Sequence, residues 1–355
     1  MSSRVSGQCD RRAFLRAGAL ASAAYAAGAA GALRRVRAQD SGPGTVLGPE
    51  FEEHAGRALI GITLDLEMSR NFPRWEDTHW DYEKGNLNRP TKEYTLRAAD
   101  RIAESGGPLH TFVVGRVFEQ AGVEWLEQLI DDGHLIGNHT YDHVNVKATE
   151  ADQIQFRFRA APWLIGHRAP REVIVENVRL TETALDRRLG IRPAGFRTPG
   201  GFNNALHDRV DLQQMFLELG YPWVSSMYPA HKLSPAGETP GEDVFASIVE
   251  AQAAAQPFVY KSGLIEVPMS PISDITAFRG GRWQLEDFLT ALDRALDWVI
   301  AHRAAFDFLG HPSCLYVVDP ELKAIDLICR RVEQSDGAAV ITDLSALARR
   351  AGSTT

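Results

Sequence analysis

Along residues 58–352, short apolar runs alternate with longer stretches in which apolar residues recur every three or four positions. Residues 58–64 read as an apolar strand candidate, and residues 91–105 follow with helical spacing behind a threonine cap. Further strands are expected at 109–114, 135–138, 194–196, 223–226, 264–268, 306–309 and 338–341. Helices are expected at 123–132, from about 148, and at 170–189, 212–219, 285–302, 321–334 and 344–351, with Gly133 and Gly190 as stop signals. Strands and helices in alternation build a parallel sheet covered by helices. About seven or eight strands point to an α/β fold with a (β/α) barrel, ahead of an open doubly wound sheet. In both architectures the ligand sits at the carboxyl ends of the strands, so chemistry is sought just after each strand.

The segment before residue 57 does not share the alternation. Arg11 and Arg12 precede Phe14, Leu15 and Arg16, and residues 17–33 then run without an acid or a base. This reads as a twin-arginine export signal over residues 1–38, ahead of an uncleaved anchor, with the cut after Ala38. Residues 39–56 read as a flexible leader and 57–352 as one large domain. The expectation is an exported protein, periplasmic or extracellular, with no stable membrane anchor.

Setting residues 1–38 aside removes seven arginines and one aspartate and moves the formal charge from −8 to −14. Such an acidic surface argues against nucleic acid as the partner, because phosphate recognition needs clustered positive charge. Two cysteines remain, Cys314 and Cys329, too few for an iron–sulfur cluster. They are read either as a disulfide or as two buried thiols.

Four strand ends carry candidate chemistry. The first runs Thr63-Leu64-Asp65-Leu66-Glu67, and residues two apart on a strand share a face, so Asp65 and Glu67 point the same way. Two neighbouring carboxylates at a buried strand end repel unless a cation lies between or beside them. The third strand leads into His139-Thr140-Tyr141-Asp142-His143, a spacing that stacks both imidazoles on one face if the segment is helical. A histidine pair at that spacing arises by chance in roughly one sequence in three, so its place at a strand end matters more than its existence. The next strand leads into Arg197-Thr198-Pro199-Gly200-Gly201, and an arginine there can pair with a carboxylate on the same rim or close a structural ion pair. A late strand ends in Gly310-His311-Pro312 and delivers a further histidine to that end of the sheet. His110, inside a strand pattern, is read as structural.

In this order the four segments resemble the polysaccharide deacetylase (NodB homology, carbohydrate esterase 4-like) family, over residues 58–312. The resemblance implies a distorted, NodB-like (β/α) barrel of about seven strands, a catalytic domain at 57–352, and hydrolysis of a non-peptide amide bond. The family's first motif is usually Thr-Phe-Asp-Asp-Gly, with the second aspartate on the metal; here that position is Leu66. Relatives similar to the peptidoglycan deacetylase and allantoinase-like branches have Asp-x-Asp or Asp-x-Glu instead. By resemblance to them, Asp65 is the base and Glu67, His139 and His143 hold the metal. That donor set suits Zn²⁺, with Co²⁺, Fe²⁺ or Mn²⁺ as alternatives. The resemblance further implies that Arg197 steers Asp65 and that His311 protonates the leaving amine, with Asp274 holding His311 charged. The implied substrate is an N-acetylated glycan; the alternatives are a small linear or cyclic amide, or carbohydrate binding without catalysis. In residues 68–90, Phe72, Trp75, Trp80 and Tyr82 either stack on sugar or pack the loop against the barrel.

Overall fold

The computed structural model describes residues 54–352 apart from residues 73, 78, 79 and 81. The expected export signal therefore lies outside the described residues, as does nearly all of the leader. No helix among the described residues is long and apolar enough to cross a membrane.

In chain order the first elements are β1 (Ala58–Leu66), α1 (Arg89–Glu104), β2 (His110–Val113), α2 (Glu124–Asp131) and β3 (Leu135–Asn138). Two short helices, α3 (Ala151–Ile154) and α4 (Phe156–Ala160), lead to α5 (Pro170–Leu189), β4 (Phe196–Phe202), α6 (Val210–Glu218) and β5 (Trp223–Met227). Then come α7 (Glu242–Ala254), β6 (Phe258–Val259), β7 (Ile265–Glu266), a π-helix at Ile275–Gly280 and α8 (Leu285–Ala301). The chain finishes with β8 (Ala305–Gly310), α9 (Pro312–Val318), α10 (Lys323–Glu333), β9 (Ala339–Thr342) and α11 (Leu344–Gly352).

Among the described residues nine strands form one sheet, eight in the order β6-β7-β5-β4-β3-β2-β1-β8 with β9 also paired to β1, parallel except for the β6–β7 pair. β1 is longest because it serves three partners. β8 takes one edge, while β9 over Ala58–Gly61 and β2 over Thr63–Leu66 share the other. Among the described residues the sheet does not close on itself. The free edge of β8 is satisfied by other groups: Ser270 N donates to Asp307 O, Gln252 Nε2 donates to Ala305 O, and Ala305 N donates to Gln256 Oε1. This is the distorted barrel expected, with seven strands of four or more residues and a two-strand hairpin added.

Alternation along β1 divides the interior from the helical layer. Ile60, Ile62, Leu64 and Leu66 join the core shared with α1 and α8, while Thr63 and Asp65 turn inward. At the base of the barrel Leu59, Phe112, Trp223 and Val267 pack with Leu344 and Leu347 of α11, which acts as a plug. Cys314 and Cys329 are buried and free, so the thiol reading holds.

Some expected elements differ. The cap of α1 is Asn88, whose side chain accepts from Thr91 N at 2.9 Å. The helices α7 and α9 were not expected, and the strand expected at 264–268 is only Ile265–Glu266. Helix α7 is hard to read because its Ala- and Ser-containing run gives a weak apolar stripe.

Candidate metal centre and catalytic cleft

The floor of the cleft is a buried ionic layer. Arg197, the second residue of β4, is fully buried with its guanidinium 4.4 Å over the Phe112 ring. It therefore lies within a strand rather than on the Pro-Gly loop read from the sequence. Its NH1 donates to Asp65 Oδ1 at 3.0 Å and to Thr63 Oγ1 at 2.7 Å, its NH2 to Asp307 Oδ2, and its Nε to Ser225 Oγ at 3.3 Å. Thr63 Oγ1 in turn lies 2.8 Å from Asp307 Oδ1. Burial pushes the Asp307 carboxyl up to about 6, against the pull of Arg197.

Above this layer Asp65 Oδ2 faces His139 Nε2 at 3.6 Å and His311 Nε2 at 3.9 Å. Glu67, just beyond the end of β1, directs Oε2 to His143 Nε2 at 2.6 Å and Oε1 to His311 Nε2 at 3.8 Å. Glu67 Oε2 is buried and has no hydrogen-bond partner beyond this contact with His143. One ligand atom from each of Glu67, His139 and His143 can be chosen so that all lie within 4.8 Å of one another.

The two histidines do not converge through a helix, contrary to the expectation. Residues 139–144 form an irregular turn in which Thr140 (φ 59°) and His143 (φ 58°) are left-handed, a conformation uncommon for non-glycine residues. Side chains take the backbone groups a helix would use: Thr140 N donates to Asn138 Oδ1, and Val144 N donates to Thr140 Oγ1. The imidazole centroids end 5.1 Å apart. His139 Nδ1 contacts Arg197 O at 3.0 Å, which assigns the proton to Nδ1 and leaves Nε2 as a lone pair facing the cleft.

The protonation states fit a divalent ion. Burial depresses both imidazoles, His139 to about 4, so both are neutral near pH 7 despite the nearby carboxylates. Burial works against ionised Glu67, but His143 and Lys84 outweigh it and hold the carboxyl well below its usual range. An anionic oxygen and two neutral nitrogens are a donor set for Zn²⁺ or a similar ion.

Across the cleft Asp274, at the start of the π-helix, grips His311 twice. Its Oδ1 lies 2.9 Å from His311 Nδ1 and its Oδ2 accepts from His311 N at 2.8 Å. Burial opposes charge on His311, yet Asp274, then Asp65 and Glu67, raise its pKa above the usual value. Tyr228 pins this segment, its hydroxyl lying 3.0 Å from Ser273 Oγ.

All seven residues singled out in the sequence thus meet at one rim. Three others were missed. Asp307 had a signal, an acid interrupting the apolar run of β8, as had Thr63 in β1; Lys84, on an irregular loop, had none. Of the loop aromatics, Phe72 and Trp80 are buried in the core, whereas Trp75 and Tyr82 are exposed, Trp75 beneath the Arg282 guanidinium. Packing accounts for half of that set only.

The sequence profile of the family described as polysaccharide deacetylase matches residues 80–217, a span that holds His139, His143 and Arg197. That similarity to the polysaccharide deacetylase family covers 138 of the 355 residues. Asp65, Glu67, Asp274 and His311 lie outside the matched span, and the fold brings them beside His139, His143 and Arg197. No curated protein matches the chain. A Mycobacterium smegmatis protein assigned as a polysaccharide deacetylase is similar in structure, with TM-score 0.55 and 14% identity over 88% of this chain and 95% of that one. The PuuE allantoinase has TM-score 0.55 and 13% identity over 84% of this chain and 92% of its own. A Pseudomonas aeruginosa PAO1 protein assigned as a polysaccharide deacetylase has TM-score 0.51 and 14% identity over 83% of this chain and 91% of its own. At these identities the likeness is one of fold.

Proposed function

We propose that the chain is an exported, divalent-metal-dependent hydrolase of a non-peptide amide bond, with the N-acetyl group of a glycan as its substrate. The observation that carries this reading is the convergence of Glu67, His139 and His143 beside Asp65 and the Asp274–His311 pair. Export rests on the arginine pair Arg11-Arg12 and the uncharged run behind it.

Glu67, His139 and His143 would hold the metal, which when bound polarises an amide carbonyl and acidifies water. Asp65 is the base: Arg197 engages Oδ1 and leaves Oδ2 facing the cleft, free to take a proton from the attacking water. His311 is the acid. Asp274 orients its ring through Nδ1, so that Nε2 points between Asp65 and Glu67 and can deliver a proton to the leaving nitrogen.

The Asp65-x-Glu67 form of the first motif supports a second reading, hydrolysis of a non-sugar amide as in allantoinase-like relatives. One assay separates the two. Protein loaded with Zn²⁺ or Co²⁺ is expected to release acetate from N-acetylglucosamine oligomers, and chelation to stop it. Release that survives chelation would remove the metal from the mechanism, and no release from any glycan, with turnover of a cyclic amide, would move the substrate to the second class.

The roles also set a pH dependence. Against burial, Asp274, Asp65 and Glu67 raise the His311 pKa, so its imidazolium persists to higher pH than that of a free histidine, and the acid is lost as pH rises through that raised pKa. The alkaline limb of kcat is therefore expected to report His311. Asp274→Asn removes its strongest charge partner and is expected to move that limb to lower pH. An unmoved limb would take His311 out of the acid role.

A further inference from the structure

Lysine is almost never buried unless paired. Lys84 is only 6% exposed, and its Nζ donates to Glu67 Oε1 at 2.9 Å, the oxygen that does not contact His143. The loop is built to deliver it there. Met68 N donates to Lys84 O at 2.9 Å, and Arg116 NH1 donates to Tyr82 O at 2.8 Å. Gly85 is set so close to the turn after β2 that a Cβ on it would lie 2.4 Å from the carbonyl carbon of Arg116. Lys84 therefore belongs to the site as firmly as the ligands do.

We propose that Lys84 is a resident competitor of the metal ion: it shares the Glu67 carboxylate, confines ligation to Oε2, and weakens the centre's affinity for a divalent cation. The proposal rests on the reading of Glu67, His139 and His143 as the metal centre. Two cations on one carboxylate repel, and burial leaves little water to screen them. With Oε1 occupied by the ammonium, Glu67 has a single oxygen to give, so chelation by both oxygens is closed off while Lys84 stays in place.

The test is Co²⁺ titration of the metal-free full-length protein, with Kd read from the visible absorption of the bound ion. Lys84→Met and Lys84→Gln keep much of the length and lose the charge, and both are expected to bind Co²⁺ at least about tenfold more tightly than wild type. Lys84→Arg retains the charge and is expected to stay within about threefold. Equal or weaker binding in the Met and Gln variants overturns the proposal. His139→Ala separates the two levels: if it loses Co²⁺ while Lys84→Met binds as wild type does, only the role of Lys84 falls. If wild type and His139→Ala bind alike, the metal centre itself is wrong.

Discussion

Asp65→Asn is expected to keep its bound metal and to lose turnover by about a thousandfold, the scale of a general base removed from a reacting water. The substitution preserves shape. Asparagine can still accept from Arg197 NH1 through its carbonyl oxygen, so the ionic layer keeps that contact while the proton acceptor facing the cleft is gone. His139→Ala is its counterpart, because it removes a ligand nitrogen and leaves Asp65 and Arg197 in place, and it should abolish both bound metal and hydrolysis. Metal content by elemental analysis and kcat on the same preparations check both. Undiminished activity in either variant would sink the assignment of roles.

Arg197→Met has the largest expected effect on stability. Arg197 is fully buried between Asp65 and Asp307, and its removal leaves two carboxylates in the barrel interior with no cation between them. Breaking a buried ion pair from one side costs about 3–5 kcal/mol, which corresponds to a fall in Tm of about 10 °C for a domain of this size. Adding Asp307→Asn to that variant is expected to recover part of the loss, since the Asp307 carboxyl is already raised by burial. Thermal denaturation of the single and double variants measures the coupling. A fall under about 2 °C for Arg197→Met would mean that the layer contributes little.

Reading the sequence succeeded where a local rule governs. Continuous apolar runs such as β1 and the Gly190-terminated α5 follow from burial and capping. Strand alternation put Asp65 on the inner face with Thr63 and left Leu66 in the helical core. The weak-moment helix α7 escaped because its apolar residues do not mark one face.

Strand order and strand ends, both legible along the chain, therefore determined which residues could meet: Asp65, Glu67, His139, His143 and His311 stand at or just after the carboxyl ends of parallel strands, which that topology brings to one rim, while Arg197 reaches them from near the start of β4. Tertiary structure decided how they meet. The turn that joins His139 to His143 is irregular because Asn138 and Thr140 side chains take its backbone bonds, which helical spacing could not reveal. Asp307 and Lys84 enter the site from 242 and 17 residues away from Asp65 and Glu67 respectively. Their parts depend on which charges face one another in a buried space, and pairing across such distances leaves no local pattern in the chain.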